Sequence, residues 1–524
     1  MIAEKSSKTI DVQINKDVLV VGAGKAGLTA AAQIAAQGYK AVVIGNKTAC
    51  ACGAGCSKEM QDAGLVEIQD GTSLVDIAGV AGDFRVTLGK GEETCEVTFG
   101  AVVVAPQYTG VPLNSAYGLA LNDKVISQTQ LEALLADDAG KEKLVNGSGS
   151  TVAFLSGFGQ EGDPTATGRV LASALEIQKL ENCRSYIYAG NVKVGAKGME
   201  RLFTQGRNEG VVCFKPKTMP TIEQDKENVK IVITDPVVRA DVELEPDYVV
   251  VEEGVVVGPD NLGIAQTLGI DADVDGFLPS NNVHRFPVKS NREGIYVAQN
   301  DVDAANVALQ VKALIGDGVR TLTEDIAVVD DTKCVICLTC YRCCPHGAIF
   351  WQDGAAVISP AACQGCGICA SECPMDAIQL GEFTDADLKS GVKEAVASAA
   401  DATPSIVAFC CKNSALEAGE AAAQFGHEMP AGFRMVKVPC AGKVDVDFIM
   451  NALVEGADGV MVAACHEGNC KAERGNIYAG WRVEEIRQRL ENMGLNKDRV
   501  VFTTIASNMA REFACKVNEF AEKL

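Results

Sequence analysis

The chain has 524 residues, 47% of them hydrophobic and 22% charged, with a formal net charge of -22. That length leaves room for about three or four domains, and that charge argues against nucleic acid or an anionic membrane surface as a partner. No apolar run reaches the ~20 residues of a membrane helix. Glu4, Lys5 and Lys8 follow Met1 without a signal-like apolar stretch, so the 21 cysteines are expected in a reducing cytoplasm.

Residues 17–21 (Asp-Val-Leu-Val-Val) read as a buried parallel strand, followed by Gly22-x-Gly24-x-x-Gly27 and a helical pattern over 28–37. Strand, glycine turn and helix are the context in which backbone amides cradle a pyrophosphate. Gly22 makes the turn, Gly24 admits the phosphates and Gly27 lets helix meet strand. The strand at 41–44 ends in Gly45-Asn46-Lys47, so Asn46 stands where an acidic ribose ligand is usual. Cys50, Cys52 and Cys56 follow closely. They read either as ligands of an additional [4Fe–4S] cluster or as buried non-ligating thiols.

Residues 101–105 and 294–298 read as the returning and last strands of a flavin-type fold. Asn300 and Asp301 follow the last strand as candidate flavin contacts. The cofactor expected is FAD.

An insert is expected over 150–236. It has strands at 152–155 and 185–189, helices at 165–180 and 199–207, and a turn at Gly157-x-Gly159. Gly162 falls at the wrong spacing, and Glu161 and Asp163 would repel a pyrophosphate. A structural remnant is therefore preferred to a nicotinamide site.

Two blocks of C-x2-C-x2-C-x3-C-P follow: Cys334, Cys337, Cys340 and Cys344, then Cys363, Cys366, Cys369 and Cys373. This spacing wraps two [4Fe–4S] clusters, with the fourth cysteine of each block ligating the other cluster. The expected sets are Cys334, Cys337, Cys340 and Cys373, and Cys363, Cys366, Cys369 and Cys344. Zinc sites space their cysteine pairs differently.

Residues 382–403 read as a polar helix or linker. From 404 a small α/β pattern places Cys410-Cys411, Cys440 and Cys465 with Cys470 at the ends of successive strands. Parallel strands bring these ends to one edge. Cys411, Cys440, Cys465 and Cys470 form the expected four-thiolate site, with Cys410 as the alternative to Cys411. Spacing alone leaves [2Fe–2S] and zinc both open. The expected domains are 1–149 with 237–328, 150–236, 329–381, 382–403 and 404–524. The expected fold class is α/β: a two-domain, thioredoxin-reductase-like FAD fold with an inserted Rossmann-like domain, a ferredoxin module and a cysteine-rich α/β domain.

The stretch 75–86 (Val-Asp-Ile-Ala-Gly-Val-Ala-Gly-Asp-Phe-Arg-Val) and the two cysteine blocks resemble the A-type flavoprotein component of heterodisulfide reductases. Cys411, Pro439-Cys440-Ala441-Gly442-Lys443-Val444 and Cys465-His466-x-Gly468-x-Cys470 resemble the delta subunit of methyl-viologen-reducing hydrogenase. That family's usual cysteine is replaced here by Ser414, and the resemblance implies a [2Fe–2S] cluster. Such a fusion is similar to the B-type components of quinone-interacting membrane-bound oxidoreductase complexes. The resemblance implies an electron-transferring subunit working with a flavoprotein paralogue, a membrane quinone-reactive subunit and a soluble reductase such as adenylylsulfate reductase. The implied location is cytoplasmic, at the membrane only through partners. Two rival readings are a flavin-based bifurcating subunit and a flavin-free iron–sulfur wire.

Overall fold

The computed structural model describes residues 9–46, 64–145, 147–161, 164–195, 198–226, 228–235, 239–278, 286–323, 326–399 and 402–524. They form two compact units, Met1–Gln107 with Pro259–Leu524, and Tyr108–Gly258.

In the first unit the apolar runs become one parallel sheet. Its strand order is Ile295–Val297, Ala101–Val104, Val18–Val21, Ala41–Gly45 and Val66–Asp70. Helices cover such a sheet on its faces, which is why these strands are continuously apolar rather than alternating. Helices Lys25–Ala36 and Ala304–Ile315 supply Leu28, Ile34, Val307 and Val311 to the core. An antiparallel sheet, Ser73–Val80, Asp83–Lys90 and Glu93–Phe99, adds Phe84, Val86 and Phe99.

The cysteine blocks fold as two short loop–helix segments. Helix Thr339–Cys343 follows the first loop and Ile368–Ser371 the second. Two antiparallel ribbons close the module, Val328–Val329 with Ile378–Gln379 and Ile349–Gln352 with Ala355–Ile358.

The last domain is a parallel sheet ordered Phe433–Val438, Ile406–Cys411, Gly459–Ala464 and Val500–Thr504. One face packs helices Ala415–Gln424 and Ala510–Ala521. The other packs Val446–Val454 and Gly475–Asn492. The segment expected as a polar helix or linker, 382–403, holds helix Asp385–Ser398, whose Leu388 and Val392 join that second face. A Thr384 capping box starts this helix.

The second unit is wider than the insert expected over 150–236. Its parallel sheet runs Val125–Ser127, Tyr248–Val251, Thr151–Ser156, Arg184–Ala189 and Val212–Phe214. Two strands outside 150–236 therefore complete it. The antiparallel strands Thr221–Asp225, Asn228–Asp235 and Ala240–Leu244 pack against it through Ile231 and Ile233. Among the described residues no helix is long and apolar enough to cross a membrane.

Candidate functional site

The glycine turn after Val18–Val21 is shaped by close approach. Gly22 has φ +118°, and a Cβ there would lie 2.3 Å from Ala105 O. One on Gly27 would lie 1.9 Å from Gly22 O, so helix and turn touch only through glycine. Gly24 faces open space. Three glycines thus build a cradle at the start of helix Lys25–Ala36, a chemistry suited to a dinucleotide phosphate.

Asn46 is exposed just beyond Ala41–Gly45. Asp301 pairs with Lys25 at 2.6 Å, which places the loop after the last strand beside the glycine turn. Asn300 is turned to its own loop, where its Oδ1 accepts from Val302 N at 2.9 Å and Asp303 N at 3.2 Å. Sequence reasoning missed Asp303. Its carboxylate accepts from the amides of Gln299 and Asn300 at 3.0 and 3.3 Å, while burial pushes its pKa up. Cys50, Cys52 and Cys56 lie outside the described residues.

The ferredoxin-type cysteines gather into two sets, each drawing on both blocks. Cys334, Cys337, Cys340 and Cys373 line one cavity with Val329, Ile336 and Ala377. Backbone amides of Ala356 and Ala377 point at Cys334 Sγ (3.5 Å) and Cys373 Sγ (3.4 Å). Cys344, Cys363, Cys366 and Cys369 form the second set. There burial, and next the neighbouring sulfurs, push the Cys366 thiol up to about 12 and Cys369 well above its ordinary value. A cation that joins such buried thiols favours their ionised form.

Loop direction explains how each set closes. Gly365 and Gly367 take φ +62° and +81°, and the matching positions of the first block, Ile336 and Leu338, take +52° and +58°. Left-handed backbone lets successive amides turn inward, an easy conformation for glycine and a strained one for isoleucine.

In the last domain Cys411, Cys440, Cys465 and Cys470 are all buried and share one cluster with Ile368 and Ala472. Each sulfur neighbours two of the others, closing a ring Cys411–Cys440–Cys470–Cys465. The Cys411 and Cys465 sulfurs are 3.8 Å apart. Cys411 and Cys470 sit below the ordinary thiol range, because Cys440 and then Cys465 donate to both. Cys440 and Cys465 are pushed up by the same bonds. The ring can offer four thiolates to a metal centre, so the donor set fits either an iron–sulfur or a zinc site.

The pleat separates Cys410 from Cys411. Successive strand residues face opposite sides, and Cys410 packs with Ala418 and Phe513 in the opposite core. Gly475 is needed beside the ring, since a Cβ there would lie 2.3 Å from Cys440 Sγ. Ser414 is buried beside the ring, where its hydroxyl favours the thiolate forms of Cys411 and Cys465, although the Cys465 thiol stays pushed up overall. His466 instead meets Thr504 Oγ1 at 3.0 Å.

The second cysteine set touches both neighbours. Cys344 and Cys363 pack on the core of the amino-terminal fold. Cys366 and Cys343 pack on the four-thiol ring. The seam between module and last domain is tight. A Cβ on Gly442 would lie 2.7 Å from Ile368 Cγ1, and one on Gly367 would lie 2.9 Å from Lys443 Cβ. Ser371 Oγ donates to Lys443 O at 2.6 Å, and Lys443 Nζ pairs with Asp385 at 2.6 Å. Arg482 donates to Gly442 O and Val444 O and pairs with Glu372. Sequence reasoning missed this seam, because its partners lie far apart in the chain.

Residues 406–524 match the family model "Methyl-viologen-reducing hydrogenase, delta subunit". The vhu-type iron-sulfur D component of the F420-non-reducing hydrogenase of Methanocaldococcus jannaschii is 35% identical over 121 residues, 23% of this chain and 90% of that one. Through this domain the chain belongs to the hydrogenase delta-subunit family. Ahead of the delta-type domain, residues 356–379 match the 4Fe-4S binding domain and residues 1–85 the Thi4 family. The A component of the ferredoxin:CoB-CoM heterodisulfide reductase of Methanosarcina mazei is 26% identical over 460 residues, 82% of this chain. The chain spans 58% of that relative's length. The homologues are oxidoreductase subunits, and the delta-type domain here follows a 4Fe-4S binding domain in a chain similar to the A component of heterodisulfide reductase. Among solved structures, Lactococcus lactis thioredoxin reductase (FR conformation) aligns at 14% identity over 58% of this chain and 99% of that one, with a TM-score of 0.36.

Proposed function

We propose that this chain relays electrons between FAD in its amino-terminal fold and a [2Fe–2S] centre in the delta-type domain, through two [4Fe–4S] clusters. One observation carries the reading: the Cys344, Cys363, Cys366 and Cys369 set borders both the amino-terminal core and the four-thiol ring. FAD supplies the exchange between two-electron and one-electron chemistry, and the clusters supply one-electron steps. Gly22, Gly24 and Gly27 hold the dinucleotide phosphates, with Asn46, Asn300 and Asp301 nearby. Cys334, Cys337, Cys340 and Cys373 hold one cubane and the junction set holds the other. Cys411, Cys440, Cys465 and Cys470 hold the third centre. The protein's own work is placement: buried sulfurs, inward amides and a seam that keeps neighbouring centres in register.

The partners that fit this relay are a flavoprotein paralogue with a quinone-reactive membrane subunit on one side and a cytoplasmic reductase of the adenylylsulfate type on the other. The test is flavin, iron, acid-labile sulfide and zinc per chain, on protein purified without oxygen. The relay requires one FAD, about ten irons and no zinc. About fourteen irons would add a cubane at Cys50, Cys52 and Cys56. Absent flavin, or zinc in the delta-type site, would overturn the relay.

A further inference from the structure

The second glycine turn, Gly157-Phe158-Gly159, ends the strand Thr151–Ser156 and precedes helix Pro164–Gln178. This is the place where a Rossmann-type domain presents backbone amides to a dinucleotide pyrophosphate. Here the amides are already taken. Gly157 N donates to Glu252 Oε2 at 2.6 Å, and Gly159 N to Glu252 Oε1 at 2.9 Å. Tyr117 adds its hydroxyl, donating to Glu252 Oε1 at 2.5 Å.

Glu252 is 3% exposed and Tyr117 2%. The carboxylate follows Tyr248–Val251, the strand paired beside Thr151–Ser156, so the sheet itself aims it at the turn. A buried carboxylate is tolerated only where donors replace its water, and one tyrosine with two amides does so. Burial, and next the bond to Glu252, push the Tyr117 phenol well up, which keeps it a donor at neutral pH. Glu161, suspected from the sequence of repelling phosphate, instead pairs with Lys193 and stays exposed.

We infer that Glu252 is an internal stand-in for the pyrophosphate: it closes the dinucleotide cradle of the 108–258 unit and excludes nicotinamide dinucleotides from it. The phosphates would have to displace a carboxylate of the same sign and leave it buried without its amides. Electrons then reach the flavin from another protein rather than by hydride transfer from a dinucleotide held in this unit.

The test uses the FAD-loaded full chain with NADH and NADPH as probes. Calorimetric titration and anaerobic flavin bleaching should show no saturable binding and no reduction in the natural protein. Glu252→Ala frees the two amides, and it should bind NADH at least about tenfold more tightly than the natural chain. Saturable binding to the natural protein would overturn the inference, as would a folded Glu252→Ala that binds no better. Should that variant not fold, hydrogen exchange on the natural protein decides. Slow exchange in the peptide carrying Gly157 and Gly159 supports the closure, and exchange at the rate of an open turn overturns it. The calorimetric and exchange outcomes depend on neither metal nor flavin content, so the relay can fail while this inference stands.

Discussion

The ferredoxin module and the delta-type domain each gather thiols, but by opposite means. In the module, three ligands a few residues apart are wrapped by a loop whose amides turn inward, and the other block lends the fourth. In the delta-type domain, cysteines up to 59 positions apart, Cys411 to Cys470, meet because parallel strands end on one edge. A loop-built site is therefore mostly a local property, completed by one ligand from the neighbouring block, and an edge-built site is only as sound as the sheet and the seam behind it.

The largest break in that comparison is Cys440→Ser. One corner of the ring is lost, so the delta-type centre should vanish, removing about two irons and its spectroscopic signal while both cubanes remain. Loss of a cubane signal as well would mean that the two sites are not independently built. Lys443→Ala strikes the seam. It leaves Asp385 without its cation, and such losses cost about 3–5 kcal/mol when a buried pair is broken. The value here belongs at the low end, because Asp385 is one-third exposed while Lys443 is 1% exposed. Denaturant unfolding should show the delta-type domain losing cooperativity with the module.

Gly475→Ala pushes a methyl against Cys440 Sγ, with a cost of about 1–3 kcal/mol for overpacking. It should lower iron occupancy of the ring more than overall stability. The seam should also carry an acid limb. Burial raises the Asp385 carboxyl, but hydrogen bonds from Gln379 and Lys443 outweigh it, and the pKa sits below the carboxylate range. Its stabilisation is complete above about pH 4 and lost as pH falls through the depressed value. Thermal melts of Asp385→Asn should lack that acid limb. The smallest effect sharpens the contrast inside the module. Ile336→Gly removes a left-handed isoleucine and should raise stability by about 1 kcal/mol in the cluster-loaded protein, where Gly365 already has this freedom.

The cysteine blocks were legible because metal spacing is written in consecutive residues. The first glycine turn was legible for the same reason, since strand, turn and helix adjoin. The insert was not. Tyr248–Val251 fills the place between Val125–Ser127 and Thr151–Ser156, and no local pattern announces a strand returning after about a hundred residues. The segment 382–403 reads as a polar helix or linker because the apolar face of helix Asp385–Ser398 is narrow, with Leu388 and Val392 as its buried residues. The sequence prefers Cys411 and leaves Cys410 as the alternative, and the register of Ile406–Cys411 puts the two on opposite faces, with Cys411 at the ring.

By itself the sequence determined what is short-range: the spacing of both cubane blocks, the glycine turn, the apolar strands and the strand-end cysteines of the last domain. Spacing constrains geometry within a few residues because the backbone's reach is short. Tertiary structure alone decided in what order the four thiols neighbour one another, that one cysteine set borders two neighbours, and that Glu252 fills the second turn. Those outcomes depend on strand order and register, and a buried carboxylate, amide or thiol takes whatever partner the sheet brings within reach.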